Sequence, residues 1–214
     1  MNNHYFDKLA PWYLFLEKLS FGNQLQKCRT TQLERLTEVK NVLILGDGNG
    51  RFLQSFITTN KSAKIDSLDI SKKMIALAQN RIGLNLNGHQ VNFINTDVFK
   101  WEFPKNKYDL VVTNFFLDCF TFHELTKLTE KISFSLIPKG KLIYGDFNIP
   151  NSNFKKLLIL PLLSIMYCFF KIFTHISAQS LNDPSSLFTK NGFILENEKH
   201  QLGSLLKSQL WVKT

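Results

Sequence analysis

Cysteine is scarce in this chain. Three occur among 214 residues, Cys28, Cys119 and Cys168; the number is odd and none forms a C-x-x-C pair, which excludes a disulfide-stapled scaffold and the usual zinc and redox spacings. A reducing compartment follows, and the cytoplasm is the expected location. Long apolar runs are missing too. The most hydrophobic stretch, Leu157 to Phe170, contains Pro161 and is bracketed by Lys155, Lys156 and Lys171, well short of the roughly 20 apolar residues that a spanning helix needs. It reads as a buried or lid-forming helix, with contact at a membrane surface as the lesser reading. Asp7, Lys8 and Pro11 interrupt the first apolar residues, so no secretory segment is expected there.

No dense block of Lys and Arg exists, although 26 basic residues against 17 acidic ones give a net charge of +9. The excess per residue is greatest after residue 150. A solvated basic surface is expected rather than a nucleic-acid-binding stripe. No internal repeat or low-complexity linker marks a boundary, and 44% hydrophobic with 20% charged residues suits one globular α/β domain. Its expected parts are a helical cap (1–40), a core (41–150), an apolar helical insertion (151–190) and a closing strand pair (191–214). Metal ligation is not expected, since no H-x-x-x-H or dense carboxylate group is present.

Short β-rich runs alternate with helical stretches, the pattern of a mostly parallel sheet covered by helices. Residues 42–45, 64–70, 91–97, 108–114 and 140–147 are the expected first five strands. Helices are expected from Arg51 to about Thr59, after Ser71 as N-cap, and from about His123 to Ser135, stopped by Pro138 and Gly140. Residues 12–38 look helical with a break at Gly22 and Asn23. Residues 154–176 look helical and apolar, and 192–198 and 205–214 look like the closing pair.

The informative constellation is Gly46-Asp47-Gly48-Asn49-Gly50, directly after a buried strand and before a helix. Glycines there permit positive φ and close approach of another group, while the helix start offers free N–H groups. Asp69 ends the second strand, at a spacing that lets a carboxylate reach ribose hydroxyls. Asp97 ends the third, where it could accept a hydrogen bond from an exocyclic amine; an Asx turn is the alternative for Asp97, and a turn or helix cap for Asp69. A dinucleotide turn needs G-x-G-x-x-G, but Arg51 follows Gly50, so that register fits NAD poorly.

VLILGDGNGRFL, LDISKKMI, NTDVF and YDLVVTNFFLDCF resemble the successive motifs of the class I S-adenosylmethionine-dependent methyltransferases of small-molecule type. GKLIYGDF, GFILENE and LWVKT are similar to that family's fifth strand and final antiparallel pair, and FDKLAPWY, SFG and Arg29 to its N-terminal closing helices. The resemblance implies a Rossmann-like, seven-stranded, mostly parallel sheet with a C-terminal antiparallel pair, an N-terminal helical cap and a helical insertion after the fifth strand. It implies S-adenosyl-L-methionine as cofactor, held by Tyr13, Arg29, Gly46, Asp47, Gly48, Gly50, Asp69, Ile70, Met74, Asp97, Val98 and Asn114. Such enzymes often carry an acid two residues before the first glycine. Here that residue is Ile44, and Asp47 is the acid available to substitute.

Methyl transfer from a sulfonium needs alignment and exclusion of water more than a covalent catalyst. Aromatic faces suit the sulfonium, and Trp12, Tyr13, Phe115 and Phe116 are candidates for that wall, core packing being the alternative for each. An acceptor that must lose a proton could use Asp118 or His123, both just after the fourth strand, as general base; Asp118 could equally cap a helix, and His123 could be a surface histidine. His175 is a further candidate from the lid side. Met166, Tyr167, Phe169, Phe170 and Phe173 in the insertion favour a hydrophobic small-molecule acceptor, with O-methylation slightly ahead of C-methylation; a homodimer face is the competing use of that surface. The alternatives are a nicotinamide-dependent oxidoreductase and a methyltransferase-like module that binds without turnover.

Overall fold

The computed structural model describes residues 23–36, 38–60, 62–84, 86–148 and 182–214. Trp12, Tyr13, Cys168, His175 and the apolar 154–176 segment, all singled out above, lie outside the described residues. β1 (Asn41–Leu45) shows why the first strand is apolar without a break: Val42 and Ile44 face one core, Leu43 and Leu45 the other, and all four are buried. It is the centre of a seven-stranded sheet in the order β3-β2-β1-β4-β5-β7-β6. The other strands are β2 (Lys64–Asp69), β3 (Gln90–Asn95), β4 (Tyr108–Asn114), β5 (Leu136–Phe147), β6 (Phe193–Gln201) and β7 (Leu206–Lys213). The first five pair in parallel, and β7 runs antiparallel to both β5 and β6.

A 3-10 turn (Leu33–Arg35) and α2 (Arg51–Thr59) lie with the first core, where Phe52 and Phe56 are fully buried, and α1 (Gln24–Thr30) packs against α2. α3 (Lys72–Ile82) follows β2. α4 (Phe122–Ser135) and α5 (Ser185–Lys190) bury Leu125, Leu128, Ile132 and Phe188 in the second core, with Tyr144 and Trp211 of the sheet. Removing a side chain of Phe size from water stabilises by about 1.5–3 kcal/mol, so each face of the sheet rests on several such burials.

Two expectations are corrected. α4 does end at Ser135, but Pro138 and Gly140 do not stop it: the chain passes straight into β5, and both residues lie inside that strand. The register jumps from Tyr108↔Leu136 to Leu110↔Lys141, and β7 begins pairing only at Lys141. Residues 137–140 therefore form a bulge, where proline removes no ladder hydrogen bond. The third strand stops at Asn95 rather than Asp97, because Asp97 turns the chain: its carboxylate accepts from the Phe99 N–H at 2.9 Å and its carbonyl from Lys100 and Trp101. α5 carries no signal strong enough to have been expected.

The strand order reverses between β1 and β4, which opens a crevice beyond their C-terminal ends, the place where open α/β sheets take ligands.

Candidate functional site

The glycine turn fills one side of this crevice, and its three glycines do different jobs. A Cβ on Gly46 would meet the Phe116 ring at 2.2 Å, and one on Gly50 would meet Ala78 at 2.8 Å; those two are glycine because neighbouring elements press on them. Gly48 has φ +60°, and among the described residues the Met74 sulfur, at 3.8 Å, is what an added Cβ would meet. Of the three glycines it is the one that the described residues leave open for another molecule to come against the backbone.

Asp47 is spoken for. Gly50, the N-cap of α2, has no side chain to offer, and the Asp47 carboxylate accepts instead from the N–H groups of Phe52 (3.1 Å) and Leu53 (2.9 Å). Burial pushes its pKa up to about 6, against those two hydrogen bonds and the charges of Arg29 and Arg81. The acid between the glycines thus caps the helix rather than presenting both its oxygens to the crevice.

Asp69 ends β2 and joins three parts of the site. Its Oδ2 accepts from Gly48 N–H at 3.2 Å and its Oδ1 from Ser71 N–H at 2.8 Å, while the Ser71 hydroxyl caps α3 by accepting from Met74 N–H. Ser71 is thus the cap that the sequence predicts, and Asp69 stands at the mouth of the turn. Ile70, half-buried, follows it, and the Asn95 amide holds the carbonyls of both at 3.0 and 2.9 Å. Met74 and Val98 are buried beside them.

From α1, Arg29 is 5% exposed, with its guanidinium 5.1 Å from the centre of the Phe115 ring. Phe115 is held at φ +53° by its N–H bond to the Gly145 carbonyl at 2.7 Å, a left-handed conformation that costs a bulky residue on the order of 1–3 kcal/mol. Its ring lies tilted against that of Phe147, 5.3 Å between centres. Phe116 is a packing residue, against Gly46 and 5.0 Å from Phe120. Asn114, at the tip of β4, is buried with neither its amide nitrogen nor its oxygen bonded. Two unmet polar atoms at a ligand-binding edge are costly unless something brings the missing partners.

The acceptor-side candidates separate. His123 is exposed on the first turn of α4, and Thr121 with Glu124 closes that helix end in a reciprocal capping box, so neither His123 nor Asp118 serves as the cap. Asp118 sits in the 3-10 turn Leu117–Cys119, partly accessible, and burial raises its pKa to about 6. The same turn packs on β5, whose end carries a residue that sequence reasoning missed: Asp146, with no exposed surface and an Oδ2 that accepts no hydrogen bond. Burial and the Asp118 charge raise its pKa well above the carboxylate range. The available signal was an acid set inside the apolar run of a strand expected to be covered on both faces.

Residues 42–140 match the model of a methyltransferase domain. A malonyl-[acyl-carrier protein] O-methyltransferase of Ilyobacter polytropus is 38% identical over 116 residues, 54% of this chain and 42% of that protein. A phosphoethanolamine N-methyltransferase of Plasmodium falciparum is 26% identical over 150 residues, 68% of this chain and 54% of that one. The chain therefore spans about half the length of these relatives or less. Among solved structures, magnesium protoporphyrin IX methyltransferase of Synechocystis with bound S-adenosylhomocysteine superposes with a TM-score of 0.73 at 19% identity, covering 99% of this chain and 98% of that one. An N-methyltransferase of Bradyrhizobium japonicum, also with S-adenosylhomocysteine, gives 0.69 at 15% identity over 99% of each. These two likenesses are of fold.

Proposed function

We propose that the protein is a class I S-adenosylmethionine-dependent methyltransferase that transfers the methyl group of S-adenosyl-L-methionine to the oxygen of a small, largely hydrophobic acceptor, a reading supported by the match of residues 42–140 to a methyltransferase domain. The observation that carries the reading is the open face of Gly48 beside Asp69, with the unmet amide of Asn114 on the other side of the strand-order reversal. These residues fit the cofactor: a backbone free of side chains for its amino-acid end, a strand-tip carboxylate for ribose hydroxyls, and a buried amide for a polar group between them. When bound, the cofactor supplies an electrophilic methyl on a cationic sulfur.

The chain's own residues do the rest. Asp69 orients the ribose and, through Gly48, keeps the turn in shape. Phe115, fixed in its left-handed conformation, offers an aromatic ring that tolerates a cation, and the Arg29 guanidinium packs over that ring. Asp118 accepts the acceptor's proton. The O-methyltransferase relatives support oxygen as the atom methylated. The unpaired Cys28 and Cys119 support a cytoplasmic setting, and among the described residues no helix is long and apolar enough to cross a membrane. Homodimer formation and contact with a membrane surface belong to the apolar segment's proposed uses, while nucleic acid is not proposed as a partner.

Isothermal calorimetry with S-adenosylhomocysteine, NAD and NADP tests the reading. Saturable binding of the first with no heat from the other two is the expected result. Binding of a nicotinamide nucleotide alone overturns it.

A further inference from the structure

Gly140 and Gly145 are the described glycines without a positive φ, so their lack of a side chain needs another reason. At Gly140 an added Cβ would meet the backbone carbonyl of Ile137, inside the bulge of β5. At Gly145 it would meet the end of a side chain: the Asn114 Oδ1 lies 2.4 Å from that point and its Cγ 3.4 Å. Gly145 pairs with Asn114 of β4 on one side and Ser208 of β7 on the other, in a strand interior to the sheet. Glycine there weakens the strand and marks the close approach of another group. That group has no bond of its own within the fold. Asn114 is 6% exposed, and neither end of its amide has a hydrogen-bond partner. Gln26, Gln32, Asn60 and Gln201 also leave an amide oxygen unmet, but each is held by its nitrogen, Gln26 to the Arg51 carbonyl, Gln32 to that of Ser208, Asn60 to that of Phe56 and Gln201 to the Thr31 hydroxyl. Among the described residues, Asn114 is the one whose amide is buried and unmet at both ends. An apolar side chain would suit the fold better, since a buried amide without partners is unfavourable. Two residues beyond the Ile44↔Val112 pair come Gly46 in the line of β1 and Asn114 in that of β4, which puts the amide level with the glycine turn, at the crevice.

We infer that Gly145 is a positioning residue for cofactor binding: by carrying no side chain it keeps the Asn114 amide lying over the end of β5, where the ligand completes the amide's hydrogen bonds. This rests on the reading of the crevice as the site of S-adenosyl-L-methionine. Asn114 touches the ligand, and Gly145 acts only through Asn114. An amide both gives and takes hydrogen bonds, so it is satisfied by a ligand that carries donors and acceptors together, as the cofactor does. A methyl group on residue 145 would occupy the space of Oδ1 and force the amide to turn. The backbone beside it cannot follow. The Gly145 carbonyl accepts from the Phe115 N–H at 2.7 Å, and Phe115 is held at φ +53°, so the chain next to Asn114 is fixed and the change falls on the amide. Taken by themselves, the glycine and the unmet amide each weaken the fold; together they hold a recognition group in place before the ligand arrives.

A double-mutant cycle on the full chain tests this, with Gly145→Ala, Asn114→Ala and the double variant compared by S-adenosylhomocysteine calorimetry and by urea denaturation without ligand. Each single substitution is expected to weaken S-adenosylhomocysteine at least about tenfold, and the double variant to match Asn114→Ala within about twofold. Unchanged affinity in Gly145→Ala, or losses that multiply in the double variant, overturn the assignment. Stability carries the readout that a plain structural glycine would not give. Gly145→Ala is expected to lower the urea midpoint when Asn114 is present and to raise it when residue 114 is already alanine, because the methyl group then fills the room left by the amide and stiffens the strand. A lower midpoint in both backgrounds means that the strand itself requires glycine and overturns the inference. Should Gly145→Ala fail to fold, Asn114→Ala and the double variant, in which the clash is absent, still carry both comparisons. Failure of the wild type to bind S-adenosylhomocysteine overturns the methyltransferase reading instead, while the urea midpoints still report whether Gly145 acts through Asn114, so the two failures are told apart.

Discussion

At the scale of single residues, the two acids of the glycine region have parted roles. Asp47 bonds the start of α2 and Asp69 bonds the turn and the α3 cap, so one carboxylate serves stability and the other faces the crevice. Asp69→Ala is expected to weaken S-adenosylhomocysteine by roughly 1–3 kcal/mol, the cost of leaving ribose hydroxyls without a charged acceptor. Asp47→Ala is expected to lower unfolding free energy by about 1 kcal/mol, as for loss of a helix cap, with the smaller effect on affinity. Calorimetry and urea denaturation on both variants check the split, and a reversed pattern would exchange the assignments. In the sequence both acids were legible, Asp47 inside the glycine turn and Asp69 at the tip of the second strand, since strand-turn-helix context gives them their place. Their division was not, because it depends on Gly50 leaving α2 without a cap, a fact of backbone geometry.

At the scale of elements, β1, α2, β4 and the start of α3 were legible residue by residue, since periodicity and capping chemistry are local. The α4–β5 junction was not. Pro138 and Gly140 are ordinary stop signals, and only the register jump against β4 shows that they sit in a bulge. Site residues followed the same rule: Asp69 stands at a strand tip that the sequence marks and Asp97 in the turn just after one, whereas Asp146 owes its burial to β7, more than fifty residues later in the chain. The start of α4 offers a direct check on local encoding. Thr121 accepts from Glu124 N–H at 3.4 Å while the Glu124 carboxylate accepts from Thr121 N–H at 2.9 Å. Thr121→Ala is expected to cost about 1 kcal/mol in urea denaturation. Glu124→Ala should cost less, and the double variant less than the sum, because each partner's bond depends on the other.

At the scale of the whole molecule, two electrostatic trends compete as pH changes. A net charge of +9 at neutrality grows in acid and disfavours the compact state by self-repulsion. Asp66, held below the usual carboxylate range by Lys107, Asn92 and Tyr108, adds to the loss once pH falls under about 4. Asp118 works the other way. Its folded pKa, about 6, lies above the unfolded value of 3.8, so the folded chain binds the extra proton between those two values. Its contribution is complete below the unfolded pKa and is lost as pH rises through about 6. Replacing it with Asn removes the loss, so Asp118→Asn is expected to be more stable than the wild type at pH about 7.5, by about 1–2 kcal/mol given its partial accessibility. The difference should shrink to a few tenths of a kcal/mol at pH about 4, where the folded Asp118 is protonated and the unfolded one about half so. Salt separates the trends, because it screens the surface repulsion and hardly reaches the buried carboxylate. Denaturation of both proteins at pH about 4 and about 7.5, at low and at roughly 0.5 M salt, reads all of this. A stability difference that vanishes in high salt would place the effect on the surface, and one that is equal at both pH values would remove Asp118 from it.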